Sequence, residues 1–175
     1  MPYIVCVDVY YHASGATAAA LAFADWSDAA ATEEVVVPVA AVAPYEPGKF
    51  YLRELPCIKA AVAVLAKPPE LVIVDGYVWL TSESHPGLGA HLFAERSGKV
   101  PVIGVAKTAF HGATCAVEVL RGTSKTPLHI TSAGIDVTQA AAHIQSMHGP
   151  HRIPTLLKRV DQLSKRKAPA LRPGP

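Results

Sequence analysis

The stretch LVIVDG, residues 71–76, places four apolar residues directly before a single carboxylate, Asp75, with a glycine behind it. A short run of β-branched and aliphatic residues predicts a strand that is buried on both faces of a sheet. The Asp-Gly pair then marks the point where the chain leaves the sheet. Because ligands bind at the carboxyl edge of open α/β sheets, Asp75 is a candidate functional carboxylate.

The segments that follow predict a parallel strand–helix–strand unit. Residues 87–98 have the composition of a helix, and VPVIGVAK at 100–107 is a second apolar strand that ends in Lys107. Because parallel strands end at the same edge of a sheet, we expect Lys107 to lie beside Asp75. A lysine in this position can equally be a surface group whose stem packs on apolar neighbours.

Three strands are expected before this unit. Residues 3–11 are rich in β-branched and aromatic residues and carry Asp8 in their middle. Residues 16–26 are alanine-rich, which favours a helix by propensity, but the Ser-Gly turn before them suits an antiparallel strand, which we prefer. Residues 33–42 predict a third strand, and Pro38 favours an edge position for it.

The remaining elements are mostly helical. Residues 44–56 form a turn-rich connector, and the apolar spacing after it predicts a helix with Glu54 at or near its start. An acid there could simply complement the helix dipole. Two short strands are expected within 115–132, followed by a helix over 136–147. A last helix from Pro154 carries an apolar stripe with Asp161 at its border.

Composition sets limits on the fold class and the cellular context. The 175 residues, half of them hydrophobic, predict one α/β domain over residues 1–167 and a disordered tail over 168–175. The net charge of +2 permits an anionic partner without identifying one. No apolar run is long enough for a membrane span. Three separated cysteines, without a signal-peptide pattern, lead us to expect a cytoplasmic protein without a zinc site.

Four acids occupy positions that local folding alone does not demand equally: Asp8, Glu54, Asp75 and Asp161. Hard cations such as Mg²⁺ prefer carboxylate oxygens, and gathered carboxylates repel each other unless a cation lies between them. A bound metal can activate a water for hydrolysis. The residues alone do not single out these four acids, because the chain has 14 Asp and Glu residues.

Five ordered blocks of sequence resemble the endonuclease V family, with similarity from about residue 3 to residue 165. The blocks are PYEPG (44–48), YLRELP (51–56), LVIVDG (71–76), GLGAHL (87–92) and PVIGVAKT (101–108). The resemblance implies an RNase H-like mixed sheet with flanking helices. It also implies a Mg²⁺-dependent endonuclease, for which Mn²⁺ is expected to substitute, that cuts DNA or RNA near deaminated bases such as inosine.

The resemblance also assigns roles to individual residues. It implies that Asp8, Glu54 and Asp75 are catalytic metal ligands, that Asp161 matches the family's C-terminal Asp or His as a further ligand, and that Lys107 matches the active-site lysine. Lys107 would neutralise charge that builds up on the phosphate. The partner would be a nucleic acid, with no membrane involved, and we expect a monomer.

Nucleic-acid contacts follow from the same comparison. Tyr45, with Pro44, matches the family's strand-separating wedge, where an aromatic ring could stack beside a base turned out of the helix. Gly76 and Gly104 would allow close backbone approach to that base. In this comparison His85 is the candidate for the place of a histidine that the family has after its VDG block.

Two departures from the family pattern keep alternatives open. The wedge carries Glu46 where relatives have an apolar residue, and Tyr77 follows VDG where relatives have the histidine. A negative charge beside a nucleic-acid backbone is unfavourable. The alternatives are a nucleic-acid-binding protein on the same fold that has lost productive cleavage, and an RNase H-like nuclease with a different substrate.

Overall fold

A mixed sheet of seven strands lies at the centre of the computed structural model, which describes residues 1–81 and 85–166. Four helices complete the elements of these ranges. In chain order the elements are β1 (Ile4–His12), β2 (Gly15–Phe23), β3 (Glu33–Val39), α1 (Phe50–Ala63), β4 (Leu71–Asp75), α2 (Leu88–Glu95), β5 (Val102–Ala106), β6 (Val117–Val119), β7 (Leu128–Ala133), α3 (Val137–Ser146) and α4 (Thr155–Ser164).

The strand order is β3-β2-β1-β4-β5-β7-β6. β1 pairs with β4 and β4 with β5 in parallel, whereas the other neighbouring pairs are antiparallel. The predicted α/β class and the strand–helix–strand unit β4-α2-β5 are therefore confirmed. β3 is an edge strand, in agreement with the proline at position 38.

The alanine-rich segment is a strand, as predicted, although alanine favours helices. β2 lies between β1 and β3, so its backbone groups are paired on both sides. Its side chains alternate between the two faces of the sheet: Ala18, Ala20 and Ala22 pack on one, and Leu21 and Phe23 on the other. Burial on both faces selects the strand over local helix propensity.

Helices cover both faces of the sheet. α1 and α2 contribute to the apolar core on one face, and α3 and α4 to the core on the other. None of the helices in the described ranges is long and apolar enough to cross a membrane. The predicted disordered tail, 168–175, lies outside the described residues.

The predicted start of the first helix was wrong. α1 begins at Phe50, so Glu54 lies in its second turn rather than at the start, and Pro56 lies inside the helix. Phe50 makes an edge contact with Tyr11 of β1, with ring centroids 6.1 Å apart. This contact with the sheet supports a first turn that the turn-rich sequence does not favour locally.

Candidate active site

Asp8 and Asp75 occupy matching positions on two neighbouring parallel strands. β1 and β4 pair in parallel as far as Cys6 and Ile73, and the same register, continued by two residues, places Asp8 opposite Asp75. Because side chains alternate along a strand, both carboxylates lie on the face of Cys6 and Ile73, which packs against α3 and α4. The strand pattern thus delivers two acids to one point.

Lys107 reaches the same point from the end of β5. Its Nζ donates a hydrogen bond to Asp75 Oδ2 over 3.2 Å, as expected from the strand ends. The two side chains are 43% and 42% exposed, so solvent screens the ion pair and the pair contributes little to stability by itself. Its significance is positional, because it places a cation beside the carboxylates.

α4 brings a hydroxyl and a further acid to this edge of the sheet. The Ser164 hydroxyl donates to Asp8 Oδ2 over 3.0 Å and lies 2.8 Å from the backbone oxygen of Asp161. The Asp161 carboxylate accepts a hydrogen bond from Lys165 Nζ over 2.9 Å. Asp161 therefore lies near Asp8 and lines the same cavity, but its charge is paired with Lys165.

Glu54 enters from α1 and is 7% exposed. Burial, followed by the charges of Asp8 and Asp75, raises the pKa of Glu54 from 4.5 to about 8. Burial, followed by the charge of Asp75, likewise raises the pKa of Asp8 to about 6, against the opposing effect of the hydrogen bond from Ser164. The three carboxylates are close enough to repel one another, so the structure brings these predicted residues together.

The chemistry of these donors fits a hard divalent cation. All are carboxylates, and their mutual repulsion is what a cation between them would relieve. Within residues 1–81 and 85–166, however, no group of three His, Cys, Asp or Glu side chains is arranged closely enough to hold a metal as it stands. The Lys107 and Lys165 ammonium groups instead pair with Asp75 and Asp161.

A cavity of about 420 Å³ opens beside the carboxylates on the α4 side of the sheet. Asp8, Asp75, Lys107 and Asp161 line it, whereas Glu54 is not among its lining residues. Apolar side chains form much of its wall, and basic side chains line it together with Lys107. The apolar residues include Ile73, Val105, Leu157 and Val160, and the basic ones are His151, Arg152 and Lys158.

The wedge candidates lie on an exposed segment before α1. Tyr45 is 61% exposed and its ring meets Phe50 edge-on, with centroids 6.4 Å apart. Pro44 is exposed as well. Glu46, the unfavourable charge of this segment, pairs with Lys49 at 3.2 Å. The segment thus presents an exposed ring with a partly compensated acid beside it.

The other predicted contact residues differ in their surroundings. Gly76 has a φ of +125°, and a Cβ there would meet open space, which suits a close backbone approach. At Gly104, a Cβ would lie 2.5 Å from the Gly76 carbonyl oxygen, so the packing of the chain on β5 already accounts for this glycine. His85 is exposed and does not line the cavity.

Sequence reasoning missed several residues that hold this edge of the sheet in place. The Tyr77 hydroxyl donates to Thr108 O over 2.9 Å and accepts from Phe110 N over 3.0 Å, which ties down the segment after Lys107. Ser164 could have been found, because it follows Asp161 by three positions on a helix. Arg152 contacts distant parts of the chain, and no local pattern indicates this.

Comparison with known proteins places the chain among nucleases. A family model described as Endonuclease V matches residues 1–135. The Endonuclease V of Streptomyces avermitilis is 33% identical over 164 residues, which cover 78% of this chain and 69% of that protein. Sequence similarity therefore extends over most of both chains.

Solved structures agree with the fold. The crystal structure of the Streptomyces avermitilis Endonuclease V superposes with a TM-score of 0.73 at 27% identity, over 93% of this chain and 79% of that one. Endonuclease V of Ciona intestinalis, in complex with a 23mer DNA that contains an inosine followed by a ribo-adenosine, gives a TM-score of 0.78 at 17% identity, over 93% and 83%. The expected RNase H-like mixed sheet is confirmed. By sequence and by fold, the chain belongs to the Endonuclease V family.

Proposed function

We propose that this protein is a metal-dependent endonuclease that hydrolyses a phosphodiester bond near a deaminated base, such as inosine, in DNA or RNA. The observation that carries the proposal is the pair of opposed acids, Asp8 in the middle of β1 and Asp75 at the end of β4, with buried Glu54 close enough to feel both charges. Family membership supports an endonuclease, and the carboxylate chemistry supports a hard cation.

Asp8, Glu54 and Asp75, with Asp161, would hold Mg²⁺, or Mn²⁺ in its place. The metal, when bound, would supply a Lewis acid and lower the pKa of a water for attack on phosphorus. The chain's own groups act around that centre. Ser164 holds the Asp8 carboxylate in place through its hydrogen bond. Lys107, beside Asp75, offers a cation to the negative charge that develops on the phosphate.

We assign recognition of the nucleic-acid strand to the exposed segment before α1. Tyr45, with Pro44, would stack beside a displaced base, and the open space at Gly76 would admit its edge. The inosine-containing DNA bound by the Ciona intestinalis relative supports a substrate of this class. The ion pair with Lys49 reduces the repulsion that Glu46 would exert on a phosphate.

The proposal is tested by incubating the purified protein with end-labelled DNA and RNA strands that carry one inosine, and with matched strands that carry guanosine. We expect cleavage at a fixed position near inosine in Mg²⁺ or Mn²⁺, and none in EDTA. If none of the strands is cleaved in Mg²⁺ or Mn²⁺, the proposed nuclease activity is rejected. Equal cleavage of both strands of a pair would reject the specificity and leave a nuclease for another substrate.

A second candidate is a protein that binds nucleic acid on this fold without cutting it. Two observations favour it: the carboxylates of Asp75 and Asp161 are both paired with lysines, and Tyr77 and Glu46 depart from the family pattern. Binding of inosine-containing strands without cleavage in any divalent metal would support this candidate. Divalent-dependent cleavage that disappears in Asp75→Asn would reject it.

A further inference from the structure

The guanidinium of Arg152 connects two segments of backbone next to the cavity. Its Nε donates to Thr126 O over 2.9 Å, and its Nη2 donates to Pro127 O over 2.8 Å. Nη2 also donates to the backbone oxygen of Lys107. One side chain of the α3–α4 loop thus ties the end of β5 to the turn before β7. Lys107 is the residue at that strand end which we assign to the phosphate.

Arg152 is itself held by a second guanidinium. Arg121, which follows β6, is 4% exposed. Its Nη1 donates to His151 O over 2.6 Å and to Arg152 O over 3.3 Å, and its Nη2 donates to the carbonyls of Met147 and Gly149. Arg121 therefore satisfies four carbonyls of the α3–α4 loop and fixes the backbone from which the Arg152 side chain extends.

The backbone after β5 is fixed from the other side as well. Tyr77 bonds to Thr108 and Phe110, directly after Lys107. The ammonium of Lys107 is carried on a flexible four-carbon stem, so the place it can reach depends on where its backbone is held. Arg152 and Tyr77 together leave the backbone of this strand end little freedom.

We propose that Arg152, supported by Arg121, is a positioning residue for Lys107. The inference rests on the proposed function, because it concerns the role assigned to Lys107 there. A planar guanidinium can satisfy three carbonyls that converge from different directions, which the single ammonium of a lysine cannot reproduce. Arg152 also borders the cavity, but two of its three nitrogens already bond to backbone oxygens, which favours positioning over contact with a phosphate.

The test compares Arg152→Lys with Arg159→Lys, which makes the same change at a site away from Lys107. Arg159 lies on α4 and forms a two-pronged ion pair with Glu34, with both distances 2.7 Å. The first measurement is amide hydrogen exchange of the metal-free protein without substrate. We expect exchange within residues 102–111 to become at least about tenfold faster in Arg152→Lys and to stay as in wild type in Arg159→Lys.

The second measurement is cleavage of the inosine strand. Misplacement of a catalytic group by about 1 Å can cost on the order of 100-fold in rate, so we expect kcat of Arg152→Lys to fall by about 10- to 100-fold with KM within about twofold. The salt dependence of strand binding should remain unchanged. In Arg152→Ala, added guanidinium ion should restore part of the lost kcat, whereas added ammonium should not.

The two measurements separate the possible outcomes. Unchanged exchange at 102–111 in Arg152→Lys overturns the proposal, even if the wild-type protein cuts no strand and the proposed function has failed. Weaker strand binding with unchanged kcat, and a salt slope lower by about one, would make Arg152 a phosphate contact instead. If Arg152→Lys does not fold, the same exchange measurement on Arg121→Lys decides, because loosening the α3–α4 loop must also loosen 102–111.

Discussion

Burial affects the candidate carboxylates more strongly than their mutual repulsion does. For both Asp8 and Glu54, burial is the largest cause of the raised pKa, and the neighbouring carboxylates come second. Asp75 is exposed, and Lys107 lies at hydrogen-bond distance from it. The site thus combines two acids whose negative charge is disfavoured by burial with a third that is exposed and paired with a lysine. A divalent cation would favour ionisation of the two buried acids.

Asp75→Asn tests this arrangement at a single residue. The change removes one charge that Asp8 and Glu54 both feel, while it keeps the shape of the side chain. We expect cleavage in Mg²⁺ to fall by on the order of 1,000-fold, because a metal ligand is lost and part of the charge stabilisation goes with it. The melting temperature in EDTA should not fall, since a repulsive charge has gone.

Glu95→Gln is the matched control, because Glu95 forms an exposed ion pair with Lys59 away from the cavity. It should cleave at the wild-type rate. Cleavage by Asp75→Asn within about tenfold of wild type would contradict the assigned role of Asp75.

The sequence predicted the acids better than it predicted the groups that support them. Asp8 and Asp75 could be found because strand periodicity and an acid among apolar residues are local signals. The contacts of Arg152 join residues that are 25 to 45 positions apart, and no local pattern reports such contacts. In the sequence, Tyr77 stands out only as a departure from the family pattern. In the structure, its hydroxyl makes two hydrogen bonds that hold the chain after Lys107.

At the scale of elements, tertiary contacts decided what local preference left open. The alanine run became β2 because it pairs with a strand on each side. α1 extends back to Phe50 although the preceding residues have turn character, and Pro56 lies within it. Local propensity carries a fraction of a kcal/mol per residue for most side chains, so burial against the sheet overrides it.

Gly104→Ala tests how closely the chain after β4 packs over β5. An added Cβ would lie 2.5 Å from Gly76 O, 2.8 Å from Thr131 Oγ1 and 2.9 Å from Val78 N. The Thr131 hydroxyl already accepts from Val78 N, so the crowded atoms cannot move independently. We expect the free energy of unfolding to fall by about 1–3 kcal/mol, and cleavage to fall as well, because the displaced segment directly follows Asp75.

Urea unfolding monitored by circular dichroism measures the change in stability. Gly98→Ala is the matched control: its added Cβ would meet only Phe93, at 3.6 Å, so the cost is limited to the positive φ of +65°. This control should lose some stability and retain the wild-type cleavage rate. Wild-type stability in Gly104→Ala would contradict this prediction, because it would show that the segment after β4 can move to accommodate an added methyl group on β5.

In the whole molecule, the sheet order brings together groups that are far apart in the chain. β1 and β4 are neighbours although two strands and α1 lie between them in sequence, and α4 packs back onto the first strand through Ser164 and Asp8. The fold therefore holds several carboxylates at one point. Concentrating like charges in a partly buried place opposes folding, so the site couples stability to pH and, under the proposed function, to metal.

Stability of the metal-free protein should therefore fall as the pH rises from 5 to 8. In the folded chain the pKa of Glu54 is about 8 and that of Asp8 about 6, against ordinary values of 4.5 and 3.8. In this range the folded state keeps protons that the unfolded state has released, so the free energy of unfolding decreases with pH, by on the order of a few kcal/mol in total. Below about pH 4.5 both states are protonated at Glu54, and its contribution is fully retained.

If the proposed function is right, Mg²⁺ should reverse this loss, because a cation that binds the ionised carboxylates of the folded state stabilises that state by mass action. Thermal unfolding at pH 5 and pH 8, each in EDTA and in excess Mg²⁺, measures both effects. We expect the melting temperature in EDTA to be lower at pH 8, and Mg²⁺ to raise it more at pH 8 than at pH 5. Glu54→Gln should flatten the pH dependence in EDTA. A melting temperature that rises between pH 5 and pH 8 in EDTA, with no added effect of Mg²⁺ at pH 8, would mean that these carboxylates neither repel one another nor share a cation.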